Sequence, residues 1–325
     1  MLILILSGMI LIVLSADYFT NGVEWVGRGL GLADGAVGTL LAALGTALPE
    51  TLVPVLAIVA GDSAGRVGIG LGAILGAPFM LGTLGFGVLG VSSWCIARRD
   101  APQPVPATVA RDLRFFVAAL SGALLTSFLP HGLRPYAGAL LILFYFGFAR
   151  SVLKAGGIRE GSERPVPLHF WQGERPPNVV AAAQVGIGLL GLVVGAHFFV
   201  TAVTELAVRS GVSGFLLSVL LTPVATELPE VLNSIIWLRR RQVVLAFGNV
   251  TGAMAFQASL VPALGIWLTP WSFSRLEWAV GGLSVGAALW TLFILRQRRT
   301  APVLAVGGGI YLLAAAALVL VAVRP

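Results

Sequence analysis

The chain has 325 residues, of which 57% are hydrophobic and 11% charged, with a mean hydropathy of +0.94. A soluble domain carries roughly 25% charged residues, so this composition excludes one and points to an integral membrane protein. The net charge of +7 would suit a nucleic-acid partner, but the placement of the charges excludes that reading.

Windows of about 20 apolar residues predict an all-α protein with ten membrane helices, at 2–24, 35–60, 67–97, 113–130, 135–154, 181–207, 212–238, 243–269, 275–295 and 302–322. The runs are continuously apolar, which suits helices and not barrel strands. The first window has no basic residue ahead of it, and Asp17 stands where a cleavage site would need small residues. It therefore predicts a retained first helix and not a signal peptide. The second window carries Thr46-Ala47-Leu48-Pro49-Glu50, and the third is rich in glycine from Gly68 to Gly76. After the fifth window comes the polar stretch Ala155–Asn178, with Gly156, Gly157, Gly161, Pro165, Pro167, Pro176 and Pro177. It predicts a linker over 155–180 between two five-helix halves, 1–154 and 181–325. The seventh window carries Thr226-Glu227-Leu228-Pro229-Glu230, and the eighth runs Gly248-Asn249-Val250-Thr251-Gly252-Ala253-Met254-Ala255-Phe256-Gln257.

The two acidic segments are copies. Aligning 16–50 on 196–230 gives ten identities at an offset of 180: Ala16, Phe19, Val23, Gly31, Leu40, Leu41, Thr46, Leu48, Pro49 and Glu50. An odd number of helices per half makes the second copy enter the membrane from the opposite face, so the halves are predicted as inverted repeats. Of the 21 basic residues, sixteen fall on one side: Arg28, Arg98, Arg99, Arg111, Arg114, Arg150, Lys154, Arg159, Arg164, Arg175, Arg239, Arg240, Arg241, Arg296, Arg298 and Arg299. Five fall on the other: Arg66, Arg134, Arg209, Arg275 and Arg324. The asymmetry predicts a cytoplasmic linker and external termini in a cell inner membrane or plasma membrane. No Walker A sequence occurs, so no nucleotide partner is expected. The single Cys95 excludes an internal disulfide.

An ionisable residue inside a membrane helix is expensive and is by default a functional candidate. At i and i+4, Thr46 and Glu50 share a helix face, as do Thr226 and Glu230. Pro49 and Pro229 each remove a backbone donor and clash with the carbonyl four residues earlier, at Gly45 and Ala225. Carboxylate, hydroxyl and bare carbonyls are hard oxygen ligands that suit Ca²⁺ or Na⁺. The plainer reading is a proline kink with a protonated or hydrogen-bonded glutamate; two copies at matching positions weigh against it. The glycines at four-residue spacing are explained by close helix packing. Asn249 and Gln257 could offer amide oxygens to a cation or bond between helices. Asp17 and His197, at matching positions, are either a proton-sensitive pair or structural contacts near the interface, the latter being favoured. Glu24 and Glu205 read as interfacial.

These segments resemble the Ca²⁺/cation antiporter superfamily that includes the sodium/calcium exchangers. Gly45-Thr46-Ala47-Leu48-Pro49-Glu50 is similar to its first-repeat motif, and Ala225-Thr226-Glu227-Leu228-Pro229-Glu230 to the second. Gly248-Asn249-Val250-Thr251-Gly252 matches the start of its partner helix, and Ala16-Asp17-Tyr18-Phe19 with Gly22 its first-helix pattern. The resemblance implies a central site in which Glu50 and Glu230 hold Ca²⁺ and a coupling cation alternately. Thr46 and Thr226 are implied as further ligands, and Gln257 falls where the family has Asn or Asp. Ala47 and Glu227 replace the serines of the two motifs. Ala73, Ala77, Pro78 and Leu81 stand where the first partner helix would carry polar ligands.

Glu227 and Glu230, at i and i+3, could face one cation together. Without a cation, their like charge and burial would favour keeping a proton on one of them. The expected function is therefore secondary active antiport of Ca²⁺ or a similar cation for Na⁺. Exchange for H⁺ is the alternative, as is a degenerate relative acting as a channel, sensor or scaffold. No enzyme activity and no cofactor beyond the transported cations is expected; the partners are inorganic cations and the lipid bilayer.

Overall fold

The structure, a computed structural model, describes residues 1–30, 42–59, 64–97, 105–154, 166–171, 173, 176–296 and 305–323. Among these residues every regular element is a helix. In chain order they are α1 (Leu2–Gly29), α2 (Ala42–Val59), α3 (Ala64–Met80), a π-helical turn (Leu81–Gly85) and α4 (Phe86–Ala97). Next come α5 (Ala107–Leu125), α6 (Arg134–Lys154), α7 (Asn178–Ser210), α8 (Gly214–Arg239) and α9 (Val243–Gln257). The chain then forms α10 (Leu260–Leu268), α11 (Arg275–Arg296) and α12 (Ala305–Val323). Seven described stretches are long and apolar enough to cross a membrane, among them Leu2–Gly29, Gly65–Cys95, Gly214–Arg239 and Val243–Leu268. Outside the described residues lie 35–41 of the second window, 155–165 of the linker, Gly31, and Arg98, Arg99, Arg159, Arg164, Arg175, Arg298, Arg299 and Arg324.

Helices α1 and α7 pack along a seam of small residues. A Cβ added at Gly8 would lie 2.9 Å from the Phe199 nitrogen, and one at Gly188 would lie 2.7 Å from the Phe19 nitrogen. The two backbones therefore approach as closely as side-chain-free positions allow. Between these contacts Gly195 meets Ile12 and Gly191 meets Ser15, so residue numbers rise along α1 as they fall along α7. The helices are antiparallel. Gly8 and Gly188 are separated by 180 residues, as are Phe19 and Phe199, so the same contact occurs twice with the roles of the two halves exchanged.

Helices α3 and α8 run side by side in the same direction, again through glycine. Gly72 abuts the Phe215 carbonyl and Gly76 that of Val219, while the Ser218 hydroxyl donates to the Ile69 carbonyl at 2.7 Å. Prolines lie inside the helices: Pro49 and Pro54 in α2, Pro223 and Pro229 in α8, and Pro78 in the last turn of α3. The eighth window, predicted as one span, is one stretch long enough to cross a membrane, built of two helices. Pro262 can neither donate to Ala258 nor tolerate its carbonyl, and the chain breaks at Ser259, where φ is −128° and ψ −68°. The Ser259 hydroxyl caps the Ala255 carbonyl at 2.6 Å. In the third window the π-helical turn follows Pro78, and Thr83 there donates to the Phe79 carbonyl at 2.5 Å.

Two polar knots tie the bundle's ends. Buried Arg134 donates to the Leu129 and Ser127 carbonyls, each at 2.9 Å, and to that of Pro270. Beside it Trp271, fully buried with a φ of 45°, donates its indole N–H to the Ala123 carbonyl at 2.8 Å. At the other knot Gln184 of α7 donates to the Tyr18 carbonyl and the Asn21 side chain of α1, both at 2.9 Å. Asn21 and Trp25 hold the linker residues Val166 and Pro167 against these helices.

Candidate cation site

Burying a carboxylate without a counter-charge costs several kcal/mol, yet three lie together here. Glu50 on α2 and Glu227 and Glu230 on α8 each offer an oxygen within 4.8 Å of the others. Their exposures are 5%, 0% and 4%. The i, i+3 spacing puts Glu227 and Glu230 on one face of α8, and α2 brings Glu50 to that face from the other half of the chain. Among the described residues no lysine or arginine pairs with any of the three; the ion pairs described here join Arg111 to Asp112, His169 to Asp17 and Arg209 to Glu205.

The hydrogen bonds sort the oxygens into engaged and bare. Thr226 donates its hydroxyl to Glu227 Oε1 at 2.7 Å, and Gln257, the last residue of α9, donates its amide nitrogen to Glu227 Oε2 at 2.7 Å. Glu50 Oε2, Glu230 Oε2 and Gln257 Oε1 are buried and have no hydrogen-bond partner. Three bare acceptors beside a carboxylate cluster form a set of hard oxygen ligands with excess negative charge, the chemistry that binds Ca²⁺ or Na⁺.

Of the residues singled out in the sequence, Glu50, Glu227, Glu230, Thr226 and Gln257 are thus brought together. Thr46 lies in α2, but its side chain is outside the described residues. The Thr226 hydroxyl is directed to Glu227, with a longer 3.4 Å contact to the Thr222 carbonyl. Asn249 bonds between helices: its amide nitrogen reaches the Glu230 carbonyl at 3.0 Å and the Ser234 hydroxyl at 3.3 Å. It holds the backbone of the acidic segment. Ala73, Ala77 and Leu81 are buried apolar residues. Asp17 and His197 do not pair: Asp17 meets His169 at 2.9 Å, and His197 is exposed.

Two further features escape a reading of the sequence. Asp112 is buried at the start of α5, held by Arg111 at 2.8 Å and by the Thr251 hydroxyl of α9 at 2.8 Å. At the edge of a predicted window and next to an arginine, it reads as interfacial. Tyr145 of α6 packs edge-on against Phe256, the neighbour of Gln257, with ring centroids 5.9 Å apart, and lies within electrostatic reach of Glu50. Only the packing of α6 against the end of α9 reveals it.

The family pattern described as sodium/calcium exchanger protein matches residues 1–154 and 180–324. The chain belongs to this family. The chain is 25% identical over 275 residues to the putative antiporter CaxA of Alkalimonas amylolytica, covering 82% of the chain and 81% of CaxA. It is also 25% identical over 280 residues to the inner membrane protein YrbG of Escherichia coli, covering 85% and 82%. Among solved structures, that of the H⁺/Ca²⁺ exchanger CAX superposes with a TM-score of 0.70 at 15% identity, covering 98% of the chain and 87% of CAX. The likeness gives the chain the fold of that membrane exchanger.

Proposed function

We propose that the chain is a secondary active antiporter that moves Ca²⁺, or a similar cation, against Na⁺ by alternating access. The reading is carried by one observation: three buried carboxylates within 4.8 Å of one another, with three bare oxygens among them and Gln257. Such a cluster needs compensating positive charge, which cations moving through it would supply. Glu50 and Glu230 are the principal ligands, with Thr226, Glu227 and Gln257 around them; Thr46 is proposed as a further ligand from its place in the motif alone. Coupling follows from competition. The same oxygens cannot serve Ca²⁺ and the counter-cation at full occupancy together, so each ion drives the other's release.

The site sits between halves 1–154 and 181–325, which we read as inverted five-helix repeats of a ten-span protein. Support comes from the antiparallel α1–α7 seam and its exchanged Gly8–Phe199 and Gly188–Phe19 contacts. The charge asymmetry supports external termini and a cytoplasmic linker, and one relative bears the name inner membrane protein.

Exchange for H⁺ is the second reading, favoured by the third carboxylate, Glu227, since protons could compensate the cluster as well. Purified protein in vesicles loaded with Na⁺, or with acid inside, separates the two. Ca²⁺ uptake driven by the outward Na⁺ gradient, and abolished by Glu50→Gln and Glu230→Gln, is the expected result. Uptake driven only by the proton gradient selects the second reading, and uptake indifferent to both gradients overturns antiport.

A further inference from the structure

Glu227 touches the cluster differently from its neighbours. Both of its oxygens accept hydrogen bonds, Oε1 from Thr226 and Oε2 from Gln257, each at 2.7 Å. The bare acceptors belong instead to Glu50, Glu230 and Gln257. An amide is planar and two-faced, with a donor nitrogen and an acceptor oxygen at a fixed distance. Securing one end decides what the other end offers. Gln257 is 1% exposed, so neither end has water to compensate a wrong choice. Its position adds to the need. Gln257 ends α9, two residues before the break at Ser259.

We infer that Glu227 is a positioning residue: by accepting the Gln257 amide nitrogen it fixes that amide so that its oxygen remains the bare end offered to the cation. A flipped amide would present N–H donors beside a positive ion, which repel it. Thr226 completes the chain by holding the other oxygen of Glu227, so the order Thr226 to Glu227 to Gln257 runs from α8 to α9 through hydrogen bonds alone. This inference rests on the cation-site reading above and adds a role that direct ligation does not contain. Neither residue has a counterpart in the first half: 180 residues earlier stand Ala47 and Ala77. The device belongs to one half only.

The test compares two neutral substitutions, so that loss of charge cancels between them. Glu227→Gln keeps an oxygen able to accept from Gln257, whereas Glu227→Leu does not. Ca²⁺ binding to the purified full chain is titrated calorimetrically for both, with Gln257 intact and again with Gln257→Leu. With Gln257 intact, the Leu variant is expected to bind about 10-fold more weakly than the Gln variant, the effect of one buried hydrogen bond. In the Gln257→Leu background the two should bind alike. Binding stoichiometry, which misfolding would lower, should stay constant while the half-saturation concentration moves. Equal affinities with Gln257 intact, or a difference that persists without Gln257, overturn the positioning role while leaving the cation site standing. A wild-type chain that binds neither Ca²⁺ nor Na⁺ overturns the cation-site reading, and this one with it.

Discussion

Removing one carboxylate should make the cation-free protein more stable while abolishing its response to Ca²⁺. At 4.8 Å and an effective dielectric of about 20, two ionised carboxylates repel by roughly 3 kcal/mol. Glu230 faces two such neighbours, Glu50 and Glu227. Glu230→Gln keeps the shape of the side chain and removes the charge, so the repulsion relieved is on the order of one to two of these pair energies. Wild-type protein should gain about 2.7 kcal/mol of stability from Ca²⁺ at a hundredfold excess over its dissociation constant. The variant should lose most of that gain. Thermal unfolding in detergent at pH 8, followed by tryptophan fluorescence with chelator and then with Ca²⁺, reads both effects. With chelator the midpoint of Glu230→Gln should lie several degrees above wild type, and added Ca²⁺ should barely move it. A variant that melts lower with chelator, or that keeps the full Ca²⁺ shift, would refute the view of these glutamates as mutually repelling ligands.

Other substitutions test the frame around the site. Gly188→Leu drives a side chain into the Phe19 backbone, where even a Cβ lies 2.7 Å from the nitrogen; a loss of about 3 kcal/mol or more, seen as failed monodisperse elution, is expected. Arg134→Lys cannot span the Leu129, Ser127 and Pro270 carbonyls with one ammonium and should lower stability by about 2 kcal/mol; an unchanged melting midpoint would contradict the clamp. Asp112→Asn and Thr251→Val should each cost about 1 kcal/mol, and the double variant little more than either alone, because they share one bond. Asp17→Asn, by contrast, breaks a pair whose acid is 68% exposed and should change the midpoint by less than about 0.5 kcal/mol equivalent.

The sequence made the site's acidic core legible because cost and repetition coincide there. Few residues carry charge inside apolar windows, and Glu50 and Glu230 do so at one offset beside one proline. Glu227 and Gln257 were visible as departures from a pattern, but their hydrogen bond joins α8 to α9 across thirty positions and leaves no periodic trace. Asp112 was concealed by its own arginine neighbour: local sequence describes a solvated pair, and only the packing of α5 on α9 buries the acid. The break at Ser259 was foreshadowed by Pro262 and overridden by the unbroken hydropathy around it. Window averages register composition, not the loss of a single donor.

The seam between α1 and α7 also bears on how such a chain can change. Two separate copies of one half, meeting through contacts in which each residue takes its partner's place, would form a self-complementary dimer, and there every substitution appears twice. No such dimer can place an acid on one side of its centre alone. A covalent linker lifts the restriction. Ala47 and Ala77 can then stay apolar while the residues 180 positions on are Glu227 and Gln257. The glycine contacts at Gly8 and Gly188 repeat at an offset of 180 residues; the residues Glu227 and Gln257 of the cluster do not.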